Sequence, residues 1–474
     1  MPPQRQVYLL KPQELPPETI AVTFAKTSRS PESFSQIAAE LTDQKSAQFH
    51  EKWVVGYGHS SVAEHAVLHI AVENISRLAI ETVESNRLAS FTEKSTRYQK
   101  WEQDSFYTPS EIKNHPLVSL YQKTCRHLLT TYAQALNIIK DQVAKEMPRH
   151  ENEKDSDWER RLRSEYIDVC RYLLPAASLA NVGITINARA LEHMLCKMLS
   201  SPLEEVRTLG EEIKKVSLAE VPTLVKYANP SPYMINTRNS FTTEYPIKTK
   251  ASQEEEDWCS LVSYDSQNEE HILAAVLYRF GSRSYADTLA TVRGLSAQQR
   301  QDIAQKMLGE LQDHDIPLRE LEHSCYTFDV VLDQGAYFEL KRHRMMTQTP
   351  QPLTVELGYS IPKRIISAGF EEEYRRAMDM SKETYYQLAE YNPYIASYIV
   401  PNAFKRRVLL TMNLRTAFHL IALRTAPNAH FAMRRIAQRM AEEIQRATPL
   451  LGTYIKRCTD ETWEDIQNRY FHQI

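Results

Sequence analysis

Glu84-Ser-Asn-Arg-Leu-Ala-Ser-Phe-Thr-Glu-Lys-Ser-Thr-Arg-Tyr98 follows an apolar helical run and sets Arg87 ahead of a hydroxyl-rich tail. Much later, Lys341-Arg-His-Arg344 and Met-Met-Thr-Gln-Thr-Pro-Gln-Pro-Leu-Thr354 sit in the same surroundings. Each stretch is preceded by a Glu-His pair, Glu64-His65 and Glu322-His323, and by a strand-like segment, residues 66–72 and 325–332. The spacing is shared: Glu322 minus Glu64 is 258, and Arg344 minus Arg87 is 257. Further along, Pro401 minus Pro175, Asn413 minus Asn187, Arg415 minus Arg189 and His419 minus His193 are each 226. Four positions with one offset indicate a tandem repeat. The drop from 257 to 226 places 31 extra residues in the first copy, between Arg97 and Pro175. A repeat of about half the chain is a duplicated domain, since solenoid periods are ~20–50 residues.

The expected organisation is a first repeat over residues 1–247, a polar linker over 248–257 and a second repeat over 258–474. A charged insertion at about 146–163 reads as exposed helix or loop, residues 31–52 as one helical stretch, and 75–84 as a helix. A chain of 474 residues is long for one core. Its net charge of -3 gives no reason to expect a nucleic-acid polymer or a membrane surface as partner. Eleven glycines form neither a G-x-G-x-x-G nor a phosphate-loop motif. The six scattered cysteines lack C-x-x-C spacing, so neither a metal site nor a disulfide framework is expected. With no signal-like or membrane-length apolar run, the expected compartment is the cytoplasm.

Three groups of residues carry candidate chemistry. Arg189 and His193 share a helix face, as do Arg415 and His419, with Asn187 and Asn413 just upstream. Such a donor-rich face suits an anionic or carbonyl-rich ligand, or it is a solvated face. Glu93, Ser95 and Arg97 alternate, so an extended segment would turn them to one side as a phosphate clamp; a polar surface loop is the other reading. Arg342, His343 and Arg344 place cations at the end of a predicted helix, where they complement its dipole or hold a polyanion.

Together these stretches resemble the flavin-dependent thymidylate synthases, whose signature is R-H-R-x-x-S-x-N-E-x-S-x-R. The resemblance runs through Gly58-His-Ser-Ser-Val-Ala-Glu-His65, Arg87 to Tyr98, Cys170-Arg171 to Pro175 and Asn187-Ala-Arg189, and recurs in the second copy. It implies an α+β fold, with each repeat a mostly antiparallel sheet with long helices. It also implies FAD as cofactor, NADPH and methylenetetrahydrofolate as co-substrates, and a dUMP-like nucleotide as substrate.

The signature is divided between the copies. Copy one reads Ser85-Asn86-Arg87 at the R-H-R positions and Thr92 at the Asn, but keeps Glu93, Ser95 and Arg97. Copy two keeps Arg342-His343-Arg344 but reads Pro350-Gln-Pro-Leu-Thr354 afterwards. Its two prolines remove backbone donors, so a different loop geometry is expected there. Arg171 of copy one is Ser397 in copy two, and Arg424 of copy two is Met198, beside Lys197, in copy one. His59 and Ser61 become Pro317 and Arg319.

The complementary losses suggest a fused pseudo-dimer with one composite site, and a homodimer that rebuilds the family's tetramer. The resemblance assigns substrate to Glu93, Ser95, Arg97, Arg171 and Arg424, with Arg424 and Arg344 nearest the chemistry. It assigns FAD to His59, Ser61, Arg87, Asn187, Arg189 and His193 in copy one. In copy two it assigns FAD to Arg342, His343, Arg344, Asn413, Arg415 and His419. Two other functions stay open: flavin-dependent modification of another pyrimidine nucleotide, and a non-catalytic nucleotide- or flavin-binding paralogue.

Overall fold

The computed structural model describes residues 6–27, 30–56, 60–245 and 257–472. His59 and nearly all of the expected linker lie outside these residues. The architecture is α+β, with two antiparallel sheets. In the first, β1 (Val67–Ser76), β2 (Ala89–Glu93) and β3 (Leu179–Asn187) are ordered β1-β3-β2. In the second, β4 (Cys259–Tyr264), β5 (Tyr326–Asp333), β6 (Thr347–Pro350) and β7 (Lys405–Met412) are ordered β4-β5-β7-β6. The offsets superimpose β5, β6 and β7 on β1, β2 and β3. Both β1 and β5 run into a short helix, Arg77–Val83 and Gln334–Leu340, capped by the equivalent residues Ser76 and Asp333.

The halves meet about a pseudo-twofold axis. Pro175 bridges its own counterpart Pro401. Around them, Ala176 N donates to Val400 O at 2.9 Å, and Asn402 N to Leu174 O at 3.0 Å. The next pair also exchanges, Ala177 N to Tyr398 O at 2.8 Å and Ala403 N to Tyr172 O at 3.0 Å. Reciprocal contacts between equivalent residues define an isologous interface, here inside one chain. Two long helices, Val118–Glu146 and Glu371–Tyr391, pack across it, with Thr124 and Thr384 hydroxyls 2.8 Å apart in the buried seam. Apolar residues at helical spacing, such as Tyr121, Leu128, Tyr132, Leu136 and Ile139, turn one face of the first into a core shared by both halves.

Several local expectations are corrected. Residues 31–52 do not form one helix. Ser33 caps Phe34–Glu40, the chain turns extended at Leu41, Thr42 caps Asp43–Phe49, and a π-helical turn, His50–Gly56, follows. β1 outlasts its apolar alternation because a bulge with Asn74 at φ 57° resets the register and lets Ile75 and Ser76 pair. The following helix therefore starts at Arg77, not Ile75. Pro350 does not alter the sheet edge: it pairs with Val408 as Glu93 pairs with Val182. Gln351 N still donates to Arg407 O, as Lys94 N does to Asn181 O, both at 2.9 Å. Residues 146–163 span a turn and the first half of the helix Asp155–Cys170, whose far end reaches the site below.

Candidate active site

The segment that leaves β2 lines a cavity of about 250 Å³ that both halves build. The first half supplies Arg77, Glu93, Ser95, Arg97 and Arg171; the second supplies Phe338, Glu339, Arg342, Leu423 and Arg424. β2 ends at Glu93, so Ser95 and Arg97 lie beyond the strand rather than on an extended run, yet all three face this cavity. Arg77 stacks over the Phe338 ring at 3.9 Å and its Nη2 lies 3.4 Å from Glu93 Oε1.

Glu339 ties the halves together. Its Oε1 accepts from Arg171 Nη2 at 3.2 Å, and its Oε2 from Arg424 Nη1 at 3.1 Å. Arg424 also donates through Nη2 to Glu339 O at 3.1 Å and through Nε to His343 Nε2 at 2.9 Å. His343 must be neutral at Nε2 to accept. Burial, reinforced by the Arg424 charge, pulls its pKa down to about 3. Arg97 Nε donates to Asp168 Oδ1 at 2.8 Å, its Nη2 donates to the other carboxylate oxygen, and its Nη1 donates to Asn428 O at 2.9 Å.

Two properties of this cavity point to an anionic ligand with donors of its own. Six cations line it (Arg77, Lys94, Arg97, Arg171, Arg342, Arg424), against Glu93, Glu339 and the Asp168 paired to Arg97, an excess of three positive charges. Both oxygens of Glu93, a 1% exposed side chain, lack a hydrogen-bond partner, as do Arg77 Nε and Nη1. Such atoms are costly to leave unpaired, and at a cavity wall a ligand's donors and acceptors can satisfy them.

A larger cavity of about 820 Å³ adjoins it, and the two share Arg342, Leu423 and Arg424 as a wall. Arg344, Asn413, Arg415 and His419 line it, with His343 and His419 rings 5.7 Å apart. Leu308, Leu311, Ile316 and Phe418 give it an apolar side. It lies in the size range of small-molecule and cofactor sites, roughly 300–1,000 Å³.

The structure gathers Glu93, Ser95, Arg97, Arg171, Arg342 and Arg424 at one cavity, and His343, Arg344, Asn413, Arg415 and His419 at the other. It does not bring the first-half cofactor candidates to either. Ser61 lies in the short helix Ser60–His65, exposed. Asn187 caps Ala188–Leu199 by accepting from Ala190 N at 2.9 Å, and Arg189 pairs with Glu64. Asn413 and Arg415 repeat these structural roles on Thr416 N and Glu322. His193 is on the same helix as Arg189, and Arg87 lines a third cavity. Sequence reasoning missed Arg77, Glu339 and Asp168. Asp168 sits three residues before Arg171 at the end of the helix Asp155–Cys170, a spacing that signals a shared face, and Glu339 lies in the last turn of the helix that precedes Arg342.

Fold and site together define an internally duplicated α+β protein, with a cationic site at its seam and a cofactor-sized cavity beside it. The profile of the thymidylate synthase complementing protein family matches twice, over residues 12–223 and 260–450, and the chain belongs to that family. Among relatives, a "UPF0159 protein" of Chlamydia muridarum is 30% identical over 436 residues, 88% of this chain and 82% of its own. Another, of Thermoplasma acidophilum, is 27% identical over 451 residues, covering 88% and 90%. A flavin-dependent thymidylate synthase of Clostridium tetani is 28% identical over 221 residues, 45% of this chain and 83% of its own. The solved structure of a UMP/dUMP methylase, PolB of Streptomyces cacaoi with 5-Br dUMP, matches with TM-score 0.35 and 16% identity, over 41% of this chain and 93% of that one.

Proposed function

We propose that the chain methylates dUMP to dTMP reductively, with FAD as cofactor and methylenetetrahydrofolate and NADPH as co-substrates, at one composite site per chain. The observation that carries this reading is the shared wall: Arg342, Leu423 and Arg424 separate a cationic cavity from a cofactor-sized one. Bound FAD would supply the reduction of the transferred one-carbon unit.

The chain's own residues bind and orient. Ser95 and Arg97 hold the phosphate, with Asp168 fixing the guanidinium from behind. Glu93 accepts from sugar or base donors. Arg171 and Arg424, pinned by Glu339, fix the pyrimidine, and neutral His343 orients Arg424. Arg342 and Arg344 place positive charge where electron density gathers on a reduced ring. No cysteine serves as nucleophile in this reading: none lines either cavity, and burial pushes up the thiols of Cys125, Cys170 and Cys259. Ser61 and His193 lie away from both cavities and are left to serve a second copy, in keeping with a homodimer, whereas Asn187 and Arg189 are engaged as a helix cap and an ion pair.

The test is a visible spectrum of the purified chain, a dUMP titration, and an assay of dTMP formation with NADPH and methylenetetrahydrofolate. About one FAD per chain, a spectrum perturbed by dUMP, and dTMP as product are expected. No flavin bound even after added FAD would refute the reading.

A further inference from the structure

The pseudo-twofold axis carries part of the composite cavity's lining into a third cavity, of about 430 Å³. By the offset of 257, Thr82 stands there for Glu339, Ser85 for Arg342 and Pro350 for Glu93. By the offset of 226, Met198 stands for Arg424. The acceptors and the pyrimidine guanidinium of the composite site are therefore gone.

Its cations remain. Glu81 is held by Arg406 at 3.0 Å and Gln334 at 3.2 Å, and Glu84 by Lys341 at 2.8 Å, so each carboxylate has its own donor. Arg87 and Arg344 are repeat equivalents that both line this cavity. Arg87 donates to Met346 O at 3.4 Å and to Thr347 Oγ1 at 3.1 Å; Arg344 donates to Ala89 O, the counterpart of Met346 O. Neither has a carboxylate partner among the described residues. Arg344 Nε is buried and without an acceptor. Lys197 Nζ donates to Ser85 Oγ at 2.8 Å, again with no carboxylate partner among the described residues, and burial pulls its pKa down to about 8. Guanidiniums from two chain halves, at a cavity whose own carboxylates Glu81 and Glu84 are paired to other donors, supply fork-shaped donors suited to an anion.

We infer that this cavity is a second, non-methylating site that takes a phosphomonoester group through Arg87, Arg344 and Ser85 without reading a base. It goes beyond the methylation reading, because its walls belong to the seam face that lacks the substrate residues. Arg344 also lines the larger cavity, so an anion held here alters the charge felt there.

The experiment titrates the full-length chain with dUMP and with ribose 5-phosphate, followed by ³¹P NMR or calorimetry, in wild type, Ser85→Asp, Arg87→Gln and Arg97→Gln. Ribose 5-phosphate should bind, about tenfold more weakly in Ser85→Asp and Arg87→Gln, with little change in Arg97→Gln. The dUMP-selective site should show the reverse. If ribose 5-phosphate keeps this pattern while no dUMP-selective site appears, the inference stands and the nucleotide reading of the composite cavity fails. Absence of ribose 5-phosphate binding, or its loss in Arg97→Gln alone, overturns the inference.

Discussion

The composite cavity and its counterpart across the Pro175–Pro401 seam share backbone positions but not charge. At the first, Glu93, Glu339, Arg342 and Arg424 converge; at the second, Pro350, Thr82 and Ser85 hold the first three places, and Met198, the equivalent of Arg424, is buried in the core. The β-ladders beneath them are the same in register, Glu93 to Val182 and Pro350 to Val408. A duplicated scaffold thus keeps its hydrogen-bonded frame while side chains are exchanged on it, because ladder bonds are obligatory and cavity-facing side chains are not. The two cavities thus differ at a few side chains on a common frame, and altering the residues of the first one at a time tests how far the cavities differ in function.

The largest effect should come from making the first cavity like the second at its most connected residue. Arg424→Met removes the donor to Glu339 and His343 and leaves Glu339 with only Arg171. dTMP formation should fall by about a hundredfold or more, the scale of losing a preorganised charged donor. Turnover measured beside flavin content checks it: a variant that keeps both flavin and full turnover would remove Arg424 from the site.

Next comes Glu93→Gln, which keeps shape but turns a buried acceptor into a mixed donor and acceptor. Because neither carboxylate oxygen has a hydrogen-bond partner and only the longer ion pairs to Arg77 and Arg342 hold them, dUMP affinity should drop about tenfold to a hundredfold. Calorimetry gives the number, and an unchanged affinity would assign Glu93 to structure alone. A smaller change is expected from Asp168→Asn. It loosens Arg97 without removing it, so the KM for dUMP should rise several-fold while kcat holds. A fall in kcat with KM unaltered would contradict that positioning role.

How much of this was legible beforehand follows from what sequence encodes locally. The repeat, one strand in each copy and the split of signature residues were readable, because fixed offsets and periodicity survive duplication. The pairing of Arg171 with Glu339 was not, since the partners are 168 residues apart and meet only when the seam closes. Asn187 and Arg189 looked like ligand residues because a cap and an ion pair use the same side chains as a binding site. The break at Leu41 was hidden by a helix-compatible composition, and the bulge at Asn74 by the end of alternation.

The smallest effect separates the halves by pH. His343 is held neutral in the fold with a pKa of about 3, and its counterpart Asn86 does not titrate. An unfolded chain binds a proton at His343 below its ordinary value of about 6.5, and the folded chain does not. The stability it contributes is therefore complete above that pH and is lost as pH falls toward about 3. His430, buried and pulled well below the usual imidazole range chiefly by desolvation, acts in the same direction. His343→Gln can still accept from Arg424 and has no proton to gain. Between pH 7 and 5 its loss of stability should be smaller than wild type's by about 1–2 kcal/mol, read from denaturant midpoints. Amide exchange at pH 5 should rise around residues 334–345 in wild type and stay low around the equivalent residues 77–88. An equal acid response in His343→Gln, or equal opening of both segments, would show that this histidine does not set the difference between the halves.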